Sequence, residues 1–265
     1  MPELILSFQG LDAEYGHVEA FAGIESAAGI ARALTLIGHY VATGQVRHRF
    51  PFDDGVKFYL EATEPGSLNW RIKVIAGTVA IGLATNGIYD LIKLVTTKAI
   101  GEEPASISQP VAQLNESKSG DIDALVEAIE PALKKAHYGV GETAIKIQIK
   151  ESSTKDVIVT FNQKSKNYLM DSVEADDDFQ DVSISALNVN DRTGRAYFLD
   201  LSRTIPFSVS RDADPKTMRI LSASLDRYAN KDPAPTRIWF TRIEAVDERL
   251  KRIVIFKAED VAGRE

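Results

Sequence analysis

The stretch Val74–Tyr89 runs for 16 residues without a charge, and only then do Asp90 and Lys93 follow. Its small residues fall at Gly77, Ala80, Ala84 and Gly87, spaced three, four and three, a heptad-like seam that lets another backbone approach closely. Val79, Ile81, Leu83, Ile88 and Leu91 occupy much of the remaining circumference. Read as a helix over 74–100, the segment is apolar on nearly all sides and has to be buried on nearly all sides. Its own domain core and a second subunit both meet that demand. A bilayer meets it less well, because a span needs about 20 apolar residues. Gly77, Ala80, Ala84 and Gly87 are therefore the self-association candidates, and membrane action through helix 74–100 is the more remote alternative.

With 265 residues, 44% hydrophobic and 26% charged, the chain has the composition of a folded protein with room for two domains. It contains no cysteine, which removes disulfides, thiolate nucleophiles and thiolate metal sites. The N-terminus has neither a basic nor an apolar leader region, so a cytoplasmic location is expected. The net charge of −7 is unevenly spread. Residues 181–265 carry 15 Lys/Arg against 13 Asp/Glu, so the first 180 residues hold the acidic excess. Contact with a polyanion is accordingly expected from the last third of the chain.

Along the chain, Leu4 to Phe8 reads as a strand ended by Gly10. A helix over 24–43 follows, with Ser26 as its N-cap, Ala27, Ile30, Ala31, Leu34, Ile37 and Val41 as its buried stripe, and Gly44 as its stop. Two short strands, 46–52 and 56–62, flank the turn Asp53-Asp54-Gly55, and 68–73 adds another after the turn at 64–66. Segment 101–120 reads as a linker. The helix 121–137 is expected to kink or split at Pro131.

From Thr143 the period changes from helical to alternating. Strands 144–150 and 156–161 form a hairpin, and a polar connection covers 162–180. Three strands (182–190, 195–201, 204–210), a helix (214–229) and two strands (236–245, 251–258) complete the chain. That element order resembles the OB-fold, a five-stranded small barrel. The expected fold class is α+β: a mixed α/β N-terminal domain over 1–137 with a buried small-residue helix, then a β-rich domain over 143–265 containing an OB-like barrel.

The chemistry-bearing residues do not assemble into a motif. His17, His39, His48 and His137 show no i, i+4 metal pair. Asp53-Asp54 and Asp176-Asp177-Asp178 read as a turn and a solvated loop, because adjacent carboxylates do not converge on a pair of metal ions. There is no nucleophile elbow and no phosphate-binding glycine loop. No catalytic residue, metal or cofactor is expected, and the reading leans away from an enzyme.

Phe8-Gln9-Gly10, Ala31-Arg32-Ala33 and Ala42-Thr43-Gly44-Gln45-Val46-Arg47 resemble the N-terminal 100 residues of uncharacterised bacterial proteins. That resemblance implies no activity. The expected function is non-enzymatic binding or assembly, with a second copy or another protein as partner. The alternative is single-stranded nucleic-acid binding by the barrel, through Arg192, Arg195, Tyr197, Phe198, Arg203 and Phe207.

Overall fold

The computed structural model describes residues 3–61, 69–77, 81–83, 85–190, 192–201, 203–230, 235–245 and 248–261. The chain divides into two compact units, Met1–Met170 and Asp171–Glu265. The division at residue 170 corrects the expected domains 1–137 and 143–265. The hairpin after Thr143 belongs to the first unit, because its leading strand pairs with the N-terminal strand from Leu4↔Glu151 to Gln9↔Lys146.

In the N-terminal unit, β1 (Glu3–Gln9), β2 (Val56–Glu61), β3 (Asn69–Ala76), β4 (Lys146–Glu151) and β5 (Val157–Phe161) form one antiparallel sheet in the order β2-β3-β1-β4-β5. Alternation sends Leu4, Leu6 and Phe8 of β1 to one face, with Ile72 and Val74 of β3 and Ile147 and Ile149 of β4 beside them. That face shares a single apolar cluster with α1 (Ala20–Thr43), α2 (Thr85–Ala99) and α4 (Ser119–Ala136). Two shorter helices, α3 (Gln109–Ser117) and α5 (Gln163–Met170), complete the unit.

Helix α1 begins four residues earlier than its sequence pattern indicates. Glu19 is the N-cap, its carboxylate accepting from the Phe21 and Ala22 amides, which also holds its pKa below the usual carboxylate value. Ser26 lies fully inside the helix, and its hydroxyl accepts from the Gly139 amide at 2.8 Å. Gly44 ends α1 as expected, in the left-handed conformation at φ 69°. Helix α4 continues through Pro131 as one element.

The expected helix over 74–100 does not form as one piece. Val74 to Ala76 end β3, where Val56↔Ala76 and Phe58↔Val74 pair across the hairpin, and the Gly77 amide donates to the Gly55 carbonyl at 2.7 Å. The helix starts at Thr85. Gly77 is thus outside it, Gly87 is inside it and buried, and Ala80 and Ala84 lie outside the described residues, as do the turn at 64–66 and Val79. Fifteen residues of α2 are fewer than the roughly 20 that a membrane span needs. Residues 46–52 form no strand.

The close backbone approach that the seam was meant to supply occurs between α1 and α4. A methyl group placed on Gly29 would run into the Ala136 amide nitrogen and the Ala132 carbonyl of α4. Ala33, Ala132 and Ala136 line the same crossing, all buried.

In the C-terminal unit, β6 (Val173–Asn188), β7 (Thr193–Phe198), β8 (Arg203–Val209), β9 (Thr236–Glu244) and β10 (Leu250–Asp260) close into a barrel in the order β10-β8-β7-β6-β9. The 16-residue β6 closes it by pairing first with β9, from Val173 to Val182, and then with β7, from Val182 to Asn188. The one parallel pairing joins β8 to β10, Ile253↔Phe207 to Ile255↔Val209. Val182, Ile184, Phe198, Phe207, Phe240 and Ile255 fill the interior, with Leu221 of α6 (Thr217–Ala229). Phe198 and Phe240 meet edge to face at 5.7 Å.

Candidate interaction surfaces

The solvent side of α1 carries an uncharged stripe. Phe21, Ile24, Ala28 and Ala31 are exposed and Thr35 is half-buried, at spacings of three, four, three and four. The spacing has the period of 3.5 found in coiled-coil seams, and it is presented to water. Phe21 is 58% exposed and Ile24 62%. Tyr138, following α4, extends the apolar surface, its ring edge-on to Phe21 at 5.3 Å. Two charges flank the stripe on one side, a heptad apart. Glu25 pairs with Lys135 at 3.3 Å, and the Arg32 guanidinium lies 4.4 Å above the Phe52 ring while donating to the His48 carbonyl.

The residues nominated on the barrel are not gathered into a binding face. Phe198 and Phe207 are 2% and 3% exposed and point into the core, so neither can stack a base. Arg195 is buried as well. The Arg192 guanidinium donates to the Val209 and Ser210 carbonyls, fastening the β6–β7 turn to the end of β8. Tyr197 is half-buried on the outer face, and the side chain of Arg203 lies outside the described residues. The period-two alternation that put Tyr197 and Phe198 on opposite faces decides this outcome.

The outward aromatics lie elsewhere. Phe179, Trp239 and Lys257 are direct cross-strand neighbours on β6, β9 and β10. The Lys257 ammonium sits 4.4 Å from the centre of the Trp239 ring, and Arg237 caps Phe179 at 5.7 Å while holding Asp181 in a two-point ion pair. Each ring is therefore capped by a cation of the barrel wall, while Phe179 remains 56% exposed.

Two of the four histidines, His39 and His137, serve the fold. His137 is fully buried, and its pKa is pushed down to about 4, chiefly by burial. His39 accepts the Asp53 amide at Nδ1, and burial with the nearby Arg47 lowers its pKa too. Among the described residues no three His, Asp or Glu side chains converge as a metal would require. One helix among the described residues, α1, is long and apolar enough to cross a membrane, and half of its apolar window is buried within the protein.

The sequence profile of the domain of unknown function DUF7946 matches residues 4–170. The chain belongs to that family. A second profile, the family of unknown function DUF7947, matches residues 180–259, so each matched range falls within one of the two units. No curated protein and no solved structure matches the chain.

The α1 stripe escaped the sequence reading because the helix is apolar on two faces. The buried face, with Ile30, Leu34, Ile37 and Val41, dominates any periodicity. Phe21, Ile24 and Ala28 preceding it carry the signal of the second face, and Ala31, read as buried, belongs to that second face.

Proposed function

We propose that the chain is a self-associating, non-enzymatic binding protein assembled through the solvent face of α1, with a second copy as the occupant. The observation that carries this reading is the exposed 3.5-period stripe Phe21, Ile24, Ala28, Ala31 and Thr35. An antiparallel pair of α1 helices sets Ala28 against Ala31 of the other copy and Ile24 against Thr35. The small residues at the centre allow close approach, and two-fold symmetry repeats every contact. In that register Glu25 of each copy lies beside Arg32 of the other, so the flanking charges are complementary twice over.

The order of the barrel strands, with α6 between the third and fourth, supports reading the C-terminal unit as OB-like.

Sedimentation equilibrium of the full chain from low to high micromolar concentration tests the assembly. Dimers are expected, with Ala28→Glu weakening association by roughly tenfold or more. Glu25→Arg and Arg32→Glu each weaken it, and the double exchange restores it. A monomer at every concentration, or an Ala28→Glu protein that assembles like the parent, overturns the reading.

A further inference from the structure

The face of the N-terminal sheet opposite the helices has a chemistry unlike the rest of its unit. With Leu4, Leu6 and Phe8 turned towards the helices, Ile5, Ser7 and Gln9 of β1 point the other way. Register then places Ile5 between Arg71 and Lys150, Glu3 opposite Lys73, and Gln9 opposite Lys146. Strand β2 adds Lys57 and Tyr59, opposite Ile75 and Lys73. Among the described residues, five cations thus share this face with two carboxylates, Glu3 and Glu61, whereas residues 1–170 as a whole carry 16 Lys/Arg against 20 Asp/Glu. The positive charge is collected here against the sign of its own unit. Lys73 lies 3.7 Å from Glu61 and Lys57 2.7 Å from Asp54, so both hold weak surface pairs that a polyanion can replace.

The middle of the face is a fixed polar floor. Gln9 Nε2 donates to Gln148 Oε1 at 2.9 Å, and Gln148 Nε2 donates to Thr160 Oγ1 at 3.0 Å. Tyr59, 47% exposed, offers an aromatic ring at the edge beside Lys73. Cations for phosphates and an exposed ring for a base, on one face of an antiparallel sheet, are the parts that recognise an unpaired polynucleotide.

We infer that the helix-free face of the N-terminal sheet binds single-stranded nucleic acid, with Lys57, Arg71, Lys73, Lys146 and Lys150 on the phosphates and Tyr59 stacked on a base. The surface is distinct from the α1 stripe, so the inference stands or falls independently of self-association.

Fluorescence anisotropy of the full chain with labelled single-stranded DNA and RNA oligonucleotides of mixed sequence tests it. Binding is expected at about 50 mM salt, weakening roughly twentyfold by about 200 mM, as release of counterions from about three phosphates requires when the two carboxylates offset two of the five cations. Lys146→Glu with Lys150→Glu abolishes it, and Tyr59→Ala lowers affinity roughly tenfold. The charge-matched helix pair Lys134→Glu with Lys164→Glu leaves at least half of the affinity, and circular dichroism verifies that each variant is folded. Preference for RNA over DNA assigns a further contact to the 2′-hydroxyl, and equal binding assigns the site to backbone and base alone; both support the inference. It is overturned by no binding at low salt, by equal or tighter binding of a duplex of the same length, by sheet-face variants that bind like the parent, or by binding only to anionic vesicles.

Discussion

His137 and Ser165 meet inside the N-terminal unit at 2.7 Å, Nε2 to Oγ, in a geometry that resembles a nucleophile with its base. Both side chains are buried, and the rest of their hydrogen bonds explain the pair. His137 Nδ1 donates to the Leu133 carbonyl at 2.7 Å, which leaves Nε2 as the acceptor. Ser165 Oγ accepts from the Asn162 amide while Asn162 Oδ1 accepts from the Ser165 amide, a reciprocal cap at the start of α5. The imidazole ties the end of α4 to that cap.

This arrangement makes stability pH-dependent. The folded pKa of about 4 lies below the unfolded value near 6.5, so the unfolded chain binds the extra proton between them. The contribution is complete above about pH 6.5 and is lost as pH falls towards about 4. Between pH 7.5 and 5 the loss is roughly 2 kcal/mol. Urea midpoints at the two pH values measure it, and in His137→Gln this share of the difference disappears.

Glycine substitutions in the two packed helices are predicted to have opposite signs. Gly29→Ala gains helix propensity of about 1 kcal/mol but drives a methyl into the backbone of α4, for a net loss of roughly 1–2 kcal/mol. Gly120→Ala, within α4 and with nothing within 4 Å of the new methyl, gains about 0.5–1 kcal/mol. Thermal melts of the two proteins should move in opposite directions.

Each unit holds one of the two tryptophans, Trp70 and Trp239. Phe198→Ala removes a ring packed on Phe240 and is expected to destabilise the barrel by about 3–5 kcal/mol. Emission from a Trp70→Phe background reports that loss. The converse background, Trp239→Phe, should report a midpoint for the N-terminal unit that Phe198→Ala leaves in place.

Leu91→Ala tests the segment that dominated the sequence reading. Leu91 is fully buried in the cluster that α2 shares with the sheet, so a loss of about 2–5 kcal/mol in urea unfolding is expected. Unchanged sedimentation at low concentration would place that cost in folding rather than in association.

What the sequence displayed and what it hid follow from how each element is buried. α1, α4 and the last five strands carry periodicity strong enough to locate, and the change of period at Thr143 was legible. The run from Val74 was not, since continuous apolar residues fit a buried strand end as well as a helix. There the pairing of Val74 with Phe58 settled the matter. The first half of β6 reads as a loop because Asp176, Asp177 and Asp178 mask its alternation; it is a strand because β9 lies beside it, with Asp177 accepting from Thr241 Oγ1 at 2.7 Å. Helix α5 is polar and short, and its signal was the Asn162–Ser165 pair rather than any hydrophobic repeat. The barrel aromatics were located on the right strands but assigned to a ligand, because sequence gives the alternation and not which side is inside.

Strand β10 is inserted between β8 and β9, so the wall it completes has one gap, with two open edges, until those residues have been synthesised. A ribosome-bound chain that stops short of Leu250 therefore holds β8 and β9 with unmatched edges. Closure of this unit has to follow translation of its last strand, whereas the N-terminal sheet has every one of its strands in hand by Phe161. The order of birth thus sets the order of maturation, and the later unit is the one exposed to chaperones and to mispairing between nascent chains.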